Sequence, residues 1–160
     1  MAKKVKIKKT LVEQILSKAG IPHQGIQINA LEGELPQDYE RDQIFKTLAL
    51  LGDKTGPIIG IVPITQHLSE KKLAKISGNK KVSMIPQKDL EKTTGYIHGA
   101  NNPVGIRQKH NYPIFIDKIA LDLDQMIVSA GEVGHSIIVA PQELASFVKA
   151  DFADILEDSK

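Results

Sequence analysis

The longest apolar runs of the chain stand at residues 44 to 51 and 57 to 64, separated by Gly52-Asp53-Lys54-Thr55-Gly56, a polar loop with glycine at both ends. Two such runs around a glycine-bearing turn predict a β-hairpin. One lysine, Lys46, lies inside the first run. With a strand period of two, Ile44, Lys46, Leu48 and Leu50 face one way, and Phe45, Thr47, Ala49 and Leu51 the other. An ammonium set in an apolar face is costly to desolvate. Lys46 therefore either lays its methylenes on the sheet and its charge in water at an edge, or reaches a pocket where an anionic or carbonyl group of a ligand meets it.

The flanking pattern is weaker but punctuated. Thr10 and Glu13 have the spacing of a capping box, and Leu11, Val12, Ile15, Leu16 and Ala19 recur at helical spacing until Gly20 and Pro22 stop them. Residues 23 to 29 alternate weakly and predict a short strand. Ala30 to Arg41 is acidic and polar, a loop that either borders the pocket or is simply solvated. Ser69 and Gly78 bracket a short helix. Lys80 to Ile85 reads as a strand, and Pro86 as the first-turn proline of a helix through Lys92. Strands are predicted at 114 to 116, 126 to 128 and 136 to 139. Pro141 and Glu143 open a last helix with Leu144, Phe147 and Val148 as its buried stripe. The acidic end, with Asp151, Asp154, Glu157 and Asp158, is expected to fray. Most neighbouring strands are too close for crossover helices. The predicted class is α+β: a mixed, curved or barrel-like β-sheet with short helices packed outside, as one domain over residues 1 to 160 with a basic, flexible tail at 1 to 9.

Composition changes this picture mainly by exclusion. At 160 residues, with 41% hydrophobic and 25% charged side chains, the chain has an ordinary globular composition. Its apolar runs of about eight residues fall far short of the roughly 20 that span a bilayer, and MAKKVKIKKT lacks the apolar centre of a signal peptide. The expected location is the cytoplasm, with no membrane partner. The chain has no cysteine, which removes disulfides, thiolate nucleophiles and cysteine-based zinc sites. Net charge is +2, but residues 1 to 80 carry 13 Lys and Arg against 8 Asp and Glu, and residues 81 to 160 carry 8 against 11. Lysines 3, 4, 6, 8 and 9, the pairs Lys71-Lys72 and Lys80-Lys81, and Arg107 with Lys109 and His110 form basic clusters. These are either solvated faces or contacts for a polyanion such as RNA.

Two glycine-bearing segments, residues 94 to 105 and Ser129-Ala130-Gly131-Glu132-Val133-Gly134, are read as structured loops. They are either plain turns between strands or places where successive amides converge on an oxygen. A serine, a tight glycine turn and a lysine on one sheet would suit an ester carbonyl and the charge that develops on it. The five histidines, His23, His67, His98, His110 and His135, show no metal-ligand spacing. His98 and His135 lie near the glycine turns, as pocket walls or as surface residues. Nothing frames Asp122 and Asp124 as an acid/base pair, and no nucleophile elbow, Walker loop or dinucleotide fingerprint occurs. An enzyme of this make-up lacks an obvious protein nucleophile, so its substrate should already be activated.

Phe45-Lys46-Thr47-Leu48, Lys71-Lys72-Leu73-Ala74-Lys75, Lys80-Lys81-Val82, Thr94-Gly95-Tyr96, Gly99 with Pro103 and Gly105, Ile116-Asp117, Val128-Ser129 with Gly131, and Phe152-Ala153-Asp154-Ile155 stand in colinear order between residues 43 and 156. Together they resemble the YbaK/EbsC family, whose members are similar to the editing domain inserted in bacterial prolyl-tRNA synthetases and typically hydrolyse mischarged Cys-tRNA(Pro). The resemblance implies a cofactor-free, metal-free aminoacyl-tRNA deacylase acting in trans. It makes Lys46 the main catalytic residue, positioning the substrate, and assigns Thr47, Gly99, Ser129 and Gly131 to the aminoacyl and adenosine cleft. The substrate's own thiol would attack its carbonyl. The candidate tRNA contacts are then Lys71, Lys72, Lys80, Lys81 and Arg107, and a prolyl-tRNA synthetase is a further candidate partner. This chain departs from the family pattern in a shorter segment before Lys46, in Gly99-Ala100 and Ala130-Gly131 in place of double glycines, and in Ser136 in place of an aspartate. Those departures bear on amino-acid specificity. A deacylase of another specificity, such as Ala-tRNA(Pro), and a noncatalytic tRNA-binding module on the same fold stay open.

Overall fold

Local signals start the elements close to where the sequence places them. The computed structural model describes residues 9–158 apart from Gly33, so the basic tail, but for Lys9, lies outside the described residues. Thr10 Oγ1 accepts from the Glu13 amide at 3.2 Å and the Glu13 carboxylate from the Thr10 amide at 2.7 Å, a closed capping box that opens α1 (Leu11–Lys18). β1 (His23–Ile26) follows, and the acidic stretch forms only two short 3-10 turns, Ala30–Glu32 and Arg41–Gln43. The hairpin is β2 (Phe45–Gly52) and β3 (Gly56–Pro63), antiparallel over its whole length. Ser69 caps α2 (Glu70–Ser77), and Gly78 ends it in the left-handed region at φ 82°. Next come β4 (Val82–Met84) and α3 (Gln87–Thr94). β4 is shorter than predicted because the Lys80 and Lys81 amides are taken by the Asp53 carboxylate.

Two expectations are corrected. The loop expected over residues 94 to 105 ends in a helix, α4 (Pro103–Lys109). Asn102 Oδ1 accepts from the Gly105 amide at 2.6 Å, and Pro103 takes the first turn, where its missing N–H costs nothing. The residues that read as loop formers are here helix-start signals. β5 (Ile114–Asp117), β6 (Met126–Ser129), β7 (Ser136–Val139) and α5 (Pro141–Val148) follow as predicted. The acidic end, however, does not fray. Asp151–Ala153 forms β8, parallel to β5. Ile155 and Leu156 are buried, and the Ile155 amide donates to the buried Asp117 carboxylate at 2.9 Å.

The strands form two sheets, a mixed five-stranded one in the order β4-β2-β3-β5-β8 and an antiparallel three-stranded one in the order β1-β7-β6. Among the described residues, a single parallel bridge between Ile44 and Ile127 joins them. Strand alternation splits the larger sheet into two apolar faces. Phe45, Ala49, Ile59, Ile61, Ile114 and Ile116 pack against the small sheet and against α1, α4 and α5. Leu50, Ile58, Val62 and Phe115 pack against Leu68, α2 and the Ile155-Leu156 segment. Burying each such Ile or Leu contributes about 1.5–3 kcal/mol, so the sheet is held from both sides. Among the described residues, no helix is long and apolar enough to cross a membrane.

Candidate active site

In an antiparallel ladder, successive residues send their N–H and C=O alternately to the two sides of the strand. The Ile44 carbonyl accepts from the Ile64 amide on the β3 side at 2.9 Å, and the Ala49 carbonyl from the Ile85 amide on the opposite side at 3.2 Å. Lys46 and Leu48 therefore bond to β3, while Thr47 turns both of its backbone groups to the other edge. On that edge β4 pairs only with residues 50 to 52, and the small sheet reaches only the bridge at Ile44. Among the described residues no ladder carries the pairing from that bridge on to Thr47, which stands on a gap between the two pairings.

A cavity of about 450 Å³ borders this gap. Because it lies across the strand edge, both faces of β2 reach it: Lys46 and Leu48 from one, Thr47 and Ala49 from the other. Ile64, Met84, Ile85 and Leu90 make it apolar, and His98, Gly99 and Asn101 close a further side. Lys46 is half-buried and also borders a more open hollow with His67, Glu70 and Glu157. Among the described residues it makes no ion pair. The two sequence alternatives for Lys46 thus converge, since it sits at an edge and on a pocket.

Two residues that line this cavity each hold a buried polar atom with no hydrogen-bond partner among the described residues, Thr47 Oγ1 and Asn101 Oδ1. Asn101 is 7% exposed, and its Nδ2 donates to the Ile97 carbonyl at 3.3 Å. That bond fixes the carboxamide orientation, because the flipped amide would set two oxygens against each other. A buried acceptor left unpaired costs about 1–3 kcal/mol. Sequence reasoning missed Asn101, whose one signal was its place two residues after Gly99.

Gly99, Ser129 and Gly131 are brought together, though not all on the cavity wall. The buried Ser129 Oγ accepts from the Gly131 amide at 3.2 Å and lies 3.5 Å from the Gly99 carbonyl as donor. Gly99 lines the cavity, with φ at 90°; Ser129 and Gly131 stand behind it and hold its loop. Asn102 Nδ2 adds a bond to the Ala100 carbonyl at 3.0 Å. Tyr96 packs so tightly on Gly105 that a Cβ there would overlap its hydroxyl. Ser136 donates to the Ile28 carbonyl at 3.2 Å, within the small sheet. Of the histidines only His98 lines this cavity. His135 sits in the Ala130–His135 turn, His110 stacks on Tyr112 and His23 bonds the Ile21 carbonyl. Asp122 and Asp124 are exposed and do not line it.

The basic candidates divide. Lys71, Lys72 and Lys80 border a hollow on α2 with Lys75, Glu157 and Asp158, while Lys81 is exposed beside Lys80. Lys72 is already paired, to Asp158 at 2.8 Å and Asp154 at 3.2 Å. The Asp158 hydrogen bond raises its pKa, and Lys72 in turn holds the Asp158 carboxyl below its ordinary value. The amides of Lys81 and then Lys80 lower the Asp53 carboxyl in the same way. Arg107 stands apart from this group: its Nε donates to the Val148 carbonyl at 2.6 Å and ties α4 to α5.

Comparison with known proteins bears on the family and the fold. The chain is 38% identical to an Enterococcus faecalis protein named as a candidate Cys-tRNA(Pro)/Cys-tRNA(Cys) deacylase, EbsC, over 97% of this chain and 98% of that one. A solved structure described as a candidate trans-editing enzyme for prolyl-tRNA synthetase superposes with a TM-score of 0.76 at 23% identity, over 92% of this chain and 95% of the other. A scaffold protein used for computational epitope grafting superposes at 0.79 with 24% identity, over 92% and 96%. At such identities the two structures establish the fold, and the α+β expectation holds. The profile of the aminoacyl-tRNA editing domain matches residues 34–147, a span containing Lys46, Thr47, Gly99 and Asn101, and together with the E. faecalis relative it shows that the chain belongs to the aminoacyl-tRNA editing domain family.

Proposed function

We propose that the chain is a cytoplasmic, single-domain deacylase that acts in trans on mischarged Cys-tRNA(Pro). The observation that carries this reading is Lys46, unpaired on an open strand edge, beside a cavity whose lining contains no carboxylate, serine or cysteine among the described residues. Such a site suits an ester that supplies its own nucleophile. The cysteine thiol attacks the ester carbonyl, a C–S bond forms, the C–O bond to the ribose breaks as the thiol proton passes to the departing ribose oxygen, and water hydrolyses the resulting thiolactone to free cysteine. The Lys46 ammonium steadies the charge that develops on the carbonyl oxygen, a contribution that strengthens in the transition state. The relative's name supports cysteine as the mischarged residue.

The exposed Lys71, Lys80 and Lys81 are the tRNA contacts in this reading, with Lys72 partly neutralised by its carboxylates and Arg107 engaged within the fold. Binding through them is salt-sensitive. A prolyl-tRNA synthetase is the natural escort for the substrate. The test is hydrolysis of preformed Cys-tRNA(Pro) and Ala-tRNA(Pro) by wild type and Lys46→Ala, with folding followed by circular dichroism. The expected result is Cys-specific turnover that falls at least about 100-fold in a folded variant. Turnover of Ala-tRNA(Pro) instead reassigns the specificity. Turnover of neither ester by wild type leaves a noncatalytic tRNA-binding module.

A further inference from the structure

We infer that the aminoacyl group binds as one additional strand residue on the open edge at Thr47, with Asn101 Oδ1 and Thr47 Oγ1 accepting from its α-ammonium. The deacylase reading enters only in naming the ligand. The gap itself is defined by the fold: among the described residues the β4 ladder ends at Leu50, the small sheet bridges this edge only at Ile44, and Thr47 between them, on the cavity wall, turns one N–H and one C=O toward that edge. An aminoacyl ester carries, on either side of a single Cα, an ammonium that donates and a carbonyl that accepts. That is the pattern of one residue in a β-ladder, so its carbonyl takes the Thr47 N–H and its ammonium the Thr47 C=O.

An α-ammonium has three N–H donors, and a backbone carbonyl uses one. The two acceptors at this cavity that lack a partner among the described residues, Asn101 Oδ1 and Thr47 Oγ1, match the remaining two in number and in kind. Asn101 has no freedom to turn its amide nitrogen inward, because Nδ2 is held by the Ile97 carbonyl. Both oxygens are covered in this state, and the wall of the same cavity includes the exposed His98 and Met84, whose side chains are free to move as a ligand enters. Lys46, on the other face of the strand, is left for the carbonyl side of the ester. The arrangement selects for a free α-amino group and rejects acylated or deaminated analogues whatever their side chain.

Calorimetric titration with two non-hydrolysable probes tests this: 3′-amino-3′-deoxyadenosine joined through an amide to L-cysteine or to 3-mercaptopropionate, which differ only in the α-amino group. Wild type is expected to bind the cysteinyl probe about tenfold or more tightly than the deaminated one. Asn101→Ala and the isosteric Thr47→Val should each shrink that preference about three- to tenfold, with the deaminated probe's affinity unchanged. Equal affinities in wild type, an undiminished preference in both variants, or binding of neither probe would overturn the inference. Because the readout is binding, its failure is distinct from that of the deacylase reading. A protein that prefers the cysteinyl probe but hydrolyses no Cys-tRNA overturns the enzyme and leaves this recognition standing; hydrolysis with equal probe affinities does the reverse.

Discussion

The two ends of β2 treat buried polar groups in opposite ways. Near Gly52, Asn79 is 7% exposed, as Asn101 is, and every polar atom of its carboxamide is used. Its Oδ1 accepts from the Lys54 and Thr55 amides at 2.8 and 3.0 Å, and its Nδ2 donates to Ser77 Oγ and Thr55 Oγ1 at 2.7 and 3.1 Å. Asp53 and Lys72 nearby are likewise paired. At the Thr47 end, among the described residues, an asparagine of equal burial keeps one oxygen unpaired, a threonine hydroxyl of the same cavity is unpaired too, and the lysine makes no ion pair. The same residue type at the same depth thus staples the chain in one place and waits for a ligand in the other. Complete hydrogen bonding converts polar groups into stability; incomplete hydrogen bonding lowers stability and is recovered when a ligand supplies the partners.

Substitutions at the two ends should therefore move stability in opposite directions. The largest effect is expected for Asn79→Ala, which strands the Lys54 and Thr55 amides and should cost about 2–4 kcal/mol in chemical denaturation, with hydrolysis per folded molecule unchanged. Thr47→Val replaces an unpaired buried hydroxyl by a methyl of the same shape. It should raise stability by about 0.5–1 kcal/mol while weakening hydrolysis of Cys-tRNA(Pro) about tenfold; a loss of stability in this variant would break the comparison.

The smallest effect belongs to the surface clasp of α2 on the chain end. Asp158 is depressed by Lys72, so its contribution is present above the ordinary carboxylate range and is lost as pH falls through the lowered folded value. Lys72 is raised by Asp158, and its contribution is lost only as pH climbs through that raised value. The melting-temperature difference between wild type and Asp158→Asn should accordingly be small at neutral pH, vanish in acid and shrink with salt.

Much of the scaffold was legible because its signals are local. The Thr10 and Glu13 capping box, the Ser69 and Gly78 brackets, and the alternation through residues 44 to 63 act within a few residues of themselves. α4 was missed although Asn102 and Pro103 carry its start, because the surrounding glycines outweighed them in a composition reading. β8 was not legible at all: three acidic-flanked residues become a strand only because β5 offers them an edge. The site divides in the same way. Lys46 stood out as the one lysine in an apolar run, and Thr47 and Gly99, which only the family resemblance pointed to, line the cavity with it, whereas Ser129 and Gly131 support the wall from behind. Asn101 had no pattern to announce it, since an asparagine in a loop is ordinarily solvated and only its burial here makes an unpaired oxygen matter.

By itself, the sequence determined which segments become strands and helices, which face of each is apolar, and that a lone lysine must be accommodated in the hairpin. Those outcomes follow from side-chain periodicity and from caps that act over one turn. The tertiary structure alone decided that, among the described residues, the β4 ladder and the small-sheet bridge stop short of each other and leave Thr47 without a ladder partner on that edge, that Asn79 is satisfied and Asn101 is not, and that Lys72 is paired while Lys46 is not. The reason is physical: hydrogen-bond completeness depends on which distant atoms arrive within 3.5 Å, and a one-dimensional pattern does not carry that information.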